Sequence, residues 1–335
     1  MNGRSIVVRG DARALPLPDA SVDLIVTSPP YWALRDYRDG DESLKGQIGA
    51  EASPQEYLES LWECTREWMR VLKPSGSIFV VLGDKYSDRA DGGPSSARSG
   101  REDHAPVMPP GRSSTAMAPR KSRLLLPERY RIGCVDQLGL IARSVIIWSK
   151  PSAMPERVID RVKSAHEDIV HLTKLPVYYS AIDEIRTPAS DYVRQPGARR
   201  STPPGQRRRA MADTVNPLGA LPGSVWEIAS QPLNAPDHLD DDHYAAYPFE
   251  IPRRIIRGWC PPGGLVVDPF GGTGTTALTA SVLGRRGVTV DLSAGYCRLA
   301  RWWRTTDPRE RARALDVPRP PLAVDGQAAL FGESA

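Results

Sequence analysis

Two short stretches of this chain carry residue types and spacings that could do chemistry. The first is Asp268-Pro269-Phe270-Gly271-Gly272-Thr273-Gly274-Thr275-Thr276, which follows the strand-like run Gly264-Leu265-Val266-Val267. Glycines in a strand-to-helix turn let a ligand approach the main chain, and the turn's N–H groups favour an anionic group. No Gly-Lys-Ser/Thr follows, so this is not a Walker phosphate loop, and Ala277 stands where the dinucleotide fingerprint wants its third glycine. Two acids sharpen the reading. Asp268 ends one strand and Asp291 ends the next, 23 positions on, where an acid grips ribose hydroxyls. A turn that merely packs a helix on a sheet is the bland alternative; the acids favour a nucleoside cofactor. The second stretch is Thr27-Ser28-Pro29-Pro30-Tyr31-Trp32, at the carboxyl end of a strand, where open α/β sheets place their ligands. It holds no cysteine, so it offers no covalent nucleophile of that kind.

The elements that must position these stretches follow from hydrophobic periodicity. Residues 5–9, 21–27, 77–82, 142–149, 169–175, 177–180, 264–268 and 286–291 read as strands. Residues 55–72 carry apolar side chains at 3/4 spacing, and 127–138, 249–259, 275–283 and 293–304 also read as helices. Alternating strands and helices predict an α/β fold with a mostly parallel sheet and helices on both faces. Residues 87–119 and 186–242 lose all periodicity. The tail after Asp307 is rich in Pro and Arg and has no assigned structure.

A chain of 335 residues holds one large or two modest domains, and 40% hydrophobic with 25% charged residues suits a globular protein with a real core. The 28 Gly and 32 Pro point to long irregular loops. Net charge is only +4, yet 37 of the 44 basic residues are Arg, from coding bias or from contact with phosphates. Arg194, Arg199, Arg200, Arg207, Arg208 and Arg209 sit in one tract with no acid between the first and the last, which favours phosphate, and an Asp-rich patch at 237–242 follows. Cys64, Cys134, Cys260 and Cys297 are scattered, excluding a zinc or disulfide framework; no metal site is expected. His166-Glu167 reads as a structural hydrogen-bonding pair. Without a signal-type apolar core or about 18 consecutive apolar residues, a cytoplasmic protein with no membrane partner is expected.

The stretch Asp268–Thr276 resembles the S-adenosylmethionine motif (D-P-F-x-G-x-G-T-T) of amino-methylating DNA methyltransferases, and Ser28–Tyr31 resembles their catalytic (D/N/S)-P-P-(Y/F/W) motif. The resemblance implies a Rossmann-like methyltransferase fold with S-adenosyl-L-methionine as cofactor. The glycine loop would pass under the methionine part, Phe270 would pack near the adenine and Asp291 would hold the ribose. The implied chemistry is in-line attack of an exocyclic amine on a sulfonium methyl group. The Pro29 carbonyl and the Ser28 hydroxyl would accept hydrogen bonds from the amine, and Tyr31 would offer a face on which an extruded base stacks. Serine in the first place leans towards N4 of cytosine; N6 of adenine is the alternative.

Three further segments match the family. Trp148-Ser149-Lys150-Pro151 through Met154-Pro155-Glu156-Arg157 to His166-Glu167 resembles W-x-K-P-x-x-M-P-E-S…H-E, with Arg157 replacing the usual Ser. His243 to Ile251 resembles H-F-A-x-F-P-x-x-L, so that Tyr247 and Pro248 would help close the methionine pocket. Gly10-Asp11 supplies an acid expected near the adenine amine. With the catalytic turn ahead of the cofactor loop, the motif order is the permuted one of the β class. The implied layout is a catalytic domain at 1–310, with an irregular insertion at 87–120 and a target-recognition region at 186–242, then a tail at 311–335. The six Arg of the recognition region would grip phosphates of double-stranded DNA. A restriction endonuclease partner and a homodimer stay open, and a catalytically silent, cofactor-sensing DNA-binding protein is the reading from another class.

Overall fold

The computed structural model describes residues 4–34, 37–39, 42–87, 117–187, 216–231 and 246–316. Among these described residues ten strands lie at β1 Ser5–Arg9, β2 Val22–Thr27, β3 Arg38–Asp39, β4 Glu42–Ser43, β5 Leu72–Leu82, β6 Ile141–Ser149, β7 His166–Thr173, β8 Val225–Glu227, β9 Leu265–Asp268 and β10 Arg286–Asp291. The α-helices are α1 Pro54–Val71, α2 Leu126–Asp136, α3 Glu250–Trp259, α4 Thr275–Val282, α5 Ala294–Leu299 and α6 Pro308–Leu315.

Eight strands form one sheet in the order β1-β10-β9-β2-β5-β7-β6-β8, and only β7 runs against its neighbours. Its central strands are buried on both faces, and all six residues of Val22–Thr27 are buried, with the carboxylate of Asp23 paired to Lys73 and accepting from the Leu265 N–H. Successive residues point to opposite sides. Thus Ile25, Ile78, Val80 and Val267 join the core beneath α1 and α2, while Leu24, Phe79, Val81 and Val266 join the core beneath α3. Helix α1 starts where its sequence dictates: Ser53 accepts from the Glu56 N–H, Glu56 accepts from the Ala52 N–H, and Pro54 occupies the first turn.

Several boundaries differ from expectation. Residues 177–180 form no strand; after Pro176 the chain leaves the sheet, and the Tyr179 N–H instead reaches the Ser75 carbonyl. The tract read as wholly irregular contains β8, which pairs Trp226 with Trp148 and extends the sheet. The helix expected over 293–304 gives way after Leu299 to a π-helical turn, Ala300–Arg304. Helix α6 lies in the stretch that had no assigned structure. Buried Arg253 donates to the Ala314 carbonyl, and residue 310 falls inside this helix, so the folded body runs on past it. Arg194, Arg199, Arg200, Arg207, Arg208 and Arg209 lie outside the described residues, as does most of the insertion expected at 87–120.

Candidate active site

A cavity of about 540 Å³ opens at the carboxyl ends of β1, β2, β9 and β10, where connections diverge from the β9–β2 pair to opposite halves of the sheet. Both motifs line it. Ser28, Pro29, Pro30 and Tyr31 form one wall; Asp268, Pro269, Phe270, Gly271, Gly272, Thr273 and Thr275 form another, joined by Asp11, Tyr247, Pro248 and Asp291. Two expected residues stay off the wall. Gly274 turns the chain into α4 at φ +83°, a left-handed conformation suited to glycine, and packs on Ala300. Thr276 is buried beneath the loop.

Asp268 ties the two motifs together. Its carboxylate accepts hydrogen bonds from Thr27 Oγ1 at 2.6 Å, Thr276 Oγ1 at 2.7 Å, Tyr247 OH at 3.0 Å and the Phe270 N–H at 3.2 Å. Burial raises its pKa, and the hydroxyl donors offset part of that rise. The Tyr247 phenol is also raised well above its ordinary value, by burial and then by the Asp268 charge. The oxygens of Asp268 thus face inward, so the residue works as a joint between β2, the glycine loop and the segment before α3.

The Ser28–Tyr31 turn is clamped from beneath. Tyr57 OH donates to the Pro30 carbonyl at 2.9 Å, and Trp32 Nε1 donates to the Glu51 carbonyl at 3.1 Å. A Cβ on Gly49, at φ +92°, would stand 3.0 Å from the Tyr31 carbonyl. Among the described residues no donor reaches the Pro29 carbonyl. Tyr31 OH donates to Glu167 Oε2 at 2.7 Å, and the other oxygen of Glu167 pairs with Lys150, whose Nζ lies 4.2 Å from the Trp148 ring centroid. Burial first, and then the Glu167 charge, hold the Tyr31 phenol protonated well above its ordinary range. The Tyr31 ring rests on Gly83, where a Cβ would collide at 2.6 Å. The expected His166-Glu167 pair is therefore corrected: adjacent strand residues point to opposite faces, leaving His166 exposed and Glu167 in the cavity wall.

The glycine loop is shaped as a cradle. Gly271 donates to the Val290 carbonyl at 3.0 Å, and Gly272 donates to Asp291 Oδ2 at 2.8 Å. Gly272 has φ +49° and open space where a Cβ would be, whereas a Cβ on Gly271 would strike Thr289 at 2.5 Å. Thr273 Oγ1 is buried with no hydrogen-bond partner among the described residues. Asp11 pairs with Arg13 at 2.7 Å; burial works to raise its pKa, and the guanidinium outweighs that and holds it low. Phe270 meets Trp68 edge-on, with centroids 6.0 Å apart. Tyr37 and Tyr296 also line the cavity, tilted together at 6.0 Å; no local motif marked them, nor Lys150 and Glu167 beyond their segment.

Comparison with known proteins decides the family. The N6/N4 methyltransferase profile, described as a DNA methylase, matches residues 22–301. The chain belongs to the N6/N4 DNA methylase family. The Type II methyltransferase M.SmaI of Serratia marcescens is 33% identical to this methylase over 305 residues, covering 88% of this chain and 89% of the relative. M.XycI of Xanthomonas campestris pv. cyanopsidis is 32% identical over 301 residues, covering 88% and 86%. The PvuII DNA methyltransferase (cytosine-N4-specific) shares the fold at a TM-score of 0.61 and 20% identity, over 94% of this chain and 92% of that one. A DNA modification methylase of Thermus thermophilus, TTHA0409, solved with S-adenosyl-L-methionine, has a TM-score of 0.52 at 24% identity, over 93% of this chain and 96% of that one.

This methylase is an S-adenosylmethionine-dependent DNA methyltransferase. The cradle fits the cofactor: Thr273 presents a buried hydroxyl without a partner, and Gly272 leaves space for a ligand to touch the main chain. Among the described residues no three His, Cys, Asp or Glu side chains stand close enough to hold a metal ion, and no helix is long and apolar enough to cross a membrane.

Proposed function

We propose that this methylase modifies the exocyclic N4 amine of cytosine within a specific sequence of double-stranded DNA. One observation carries the reading: the Pro29 carbonyl, without a donor of its own, and Ser28 line the same cavity as the glycine cradle. Serine at position 28 and the fold shared with a cytosine-N4-specific enzyme support cytosine. N6 of adenine is the second reading, because the same carbonyl and hydroxyl would serve either amine.

In this reading Asp291 holds the ribose, Phe270 and Asp11 flank the adenine, and Gly271 to Thr273 with Tyr247 and Pro248 enclose the methionine end. S-adenosylmethionine, when bound, supplies a methyl group made electrophilic by its sulfonium. The amine is a poor nucleophile because its lone pair is delocalised into the ring. Accepting its two N–H groups at Pro29 and Ser28 favours a pyramidal nitrogen and steadies the charge that develops there. Pro30 locks the aim of the Pro29 carbonyl, and Tyr57 fixes Pro30 in turn. Tyr31, held by Glu167 and seated on Gly83, supplies a preset face for the extruded base. Arg194, Arg199, Arg200, Arg207, Arg208 and Arg209 bind the backbone phosphates.

Expression in a methylation-deficient host, followed by single-molecule modification sequencing, tests the proposal. N4-methylcytosine in one recurring context is the expected result; N6-methyladenine in its place establishes the second reading. Purified enzyme that binds the cofactor but transfers no tritiated methyl group to varied DNA would overturn both.

A further inference from the structure

Residues 150–165 leave the sheet after β6 and return at the start of β7, beside the catalytic cavity. The loop's base is closed by the Lys150 N–H on the Ala165 carbonyl at 2.8 Å, and the flanking Lys150 and Glu167 both line the cavity. Three of the four most exposed large apolar side chains among the described residues lie in this loop: Ile159 at 104% relative exposure, Val162 at 87% and Met154 at 78%. Scattered single apolar residues on a surface are ordinary. Three within nine positions, on a loop rooted in the active site, are not.

The loop is braced rather than slack. Glu156 accepts from the Ser164 N–H at 3.0 Å and pairs with Arg161 at 2.6 Å, and the Arg161 guanidinium lies 3.9 Å from the Tyr86 ring centroid. Asp160 pairs with Lys121 at 2.8 Å. Both acids of the loop are thereby neutralised, while Arg157 and Lys163 are exposed. A protruding apolar tip flanked by cations suits a polyanion with an apolar interior, which is what the double-stranded DNA of the proposed function presents, and DNA is the partner this family acts on. Extruding a base costs a few kcal/mol of lost stacking and leaves a gap in the duplex, which an apolar side chain can fill.

We propose that Ile159, flanked by Met154 and Val162, enters the duplex as a wedge and fills the space vacated by the target base. The role follows from DNA methylation itself and holds for either target amine.

The test uses the full chain and short duplexes carrying the sequence it methylates. One duplex is fully paired; in the other an abasic position faces the target base, which then has no partner to lose. Single-turnover methyl transfer is measured for the wild type, Ile159→Leu, and Ile159→Ser combined with Met154→Ser. These side chains touch solvent, so melting temperatures are expected to stay at the wild-type value. The double serine variant is expected to be about tenfold slower on the paired duplex and within about twofold of wild type on the abasic one, with Ile159→Leu unimpaired on both. Wild-type rates for the double variant on the paired duplex would overturn the proposal. So would an equal loss on both duplexes, because that is the mark of a general contact.

Discussion

Gly271→Ala tests whether the glycine loop is a strained cradle or a tolerant turn. An added Cβ would stand 2.5 Å from Thr289 Oγ1, 2.8 Å from its Cγ2 and 2.9 Å from its Cβ. Carbon contacts are comfortable at about 3.5–4.0 Å, so roughly 1 Å of movement is required. The loop is tethered by Gly271 to Val290 and by Gly272 to Asp291, so that movement displaces the surface facing the cofactor. Overpacking of this kind costs about 1–3 kcal/mol, which corresponds to a roughly 5- to 150-fold weaker Kd for S-adenosylmethionine if it falls on binding. Thr289→Ala removes the two nearest atoms, and its buried hydroxyl has no hydrogen-bond partner to lose. Calorimetric Kd values for the two single variants and the double variant form a cycle. A favourable coupling of about 1 kcal/mol or more is expected, with affinity recovering in the double variant. Additivity within about 0.5 kcal/mol, or wild-type affinity for Gly271→Ala, would refute the reasoning. Gly287→Ala is the contrast: its Cβ would meet main-chain atoms of Ala277 at 2.5 and 2.6 Å, which no truncation relieves, so little folded protein is expected.

Three further outcomes follow from the same geometry. Tyr31→Phe keeps the stacking face and loses the phenol's bonds to Glu167 and Ser28, so it is expected to slow methyl transfer about fivefold, whereas Tyr31→Ala abolishes most of it; neither changes cofactor affinity measured by calorimetry. Burial, and then Arg143, depress the pKa of His171 from 6.5 to about 3. The unfolded chain therefore binds a proton below pH 6.5 that the folded chain refuses, so this histidine lowers stability by about 1.4 kcal/mol per pH unit between about 6.5 and 3, a contribution that urea denaturation of the wild type and of His171→Phe is expected to show as a difference in slope. Replacing Arg207, Arg208 and Arg209 with Ala is expected to weaken DNA binding and reduce the log–log salt slope by up to about 2.7; an unchanged slope in a fluorescence-anisotropy titration would remove that tract from the phosphate interface.

The candidate site was legible in local sequence because its two motifs, which line one cavity, are each contiguous. Four residues make up the Ser28–Tyr31 turn and nine the Asp268–Thr276 loop, each at a strand end that hydrophobic patterning locates. What escaped is what depends on tertiary neighbours. Glu167 could be seen beside His166, but its pairing with Tyr31 arises only when β7 lies antiparallel to β5 with its start at the cavity. By its place at a strand end Asp268 has the look of a cofactor acid; its inward role rests on Thr27, 241 positions away. Strand β8 is three residues long, too short to show an alternation, and it forms because β6 offers an edge. Helix α6, rich in Arg, is held on one side by Arg253, a residue an amphipathic pattern assigns to the surface and the structure buries.

The hydrogen bond from Thr27 to Asp268 also sets when this protein can first become active. Strand β2 and the Ser28–Tyr31 turn leave the ribosome before their neighbour β9, which lies some 241 residues downstream. At ordinary translation speeds of about 5–20 residues per second that gap lasts roughly 10–50 s. During it the catalytic half can be complete while the cofactor cradle does not yet exist. Joining them closes a very long loop, a slow kind of contact that comes late in folding. A chain not yet extended through β10 therefore lacks the cradle, and methyl transfer is expected only once β9 and β10 have docked.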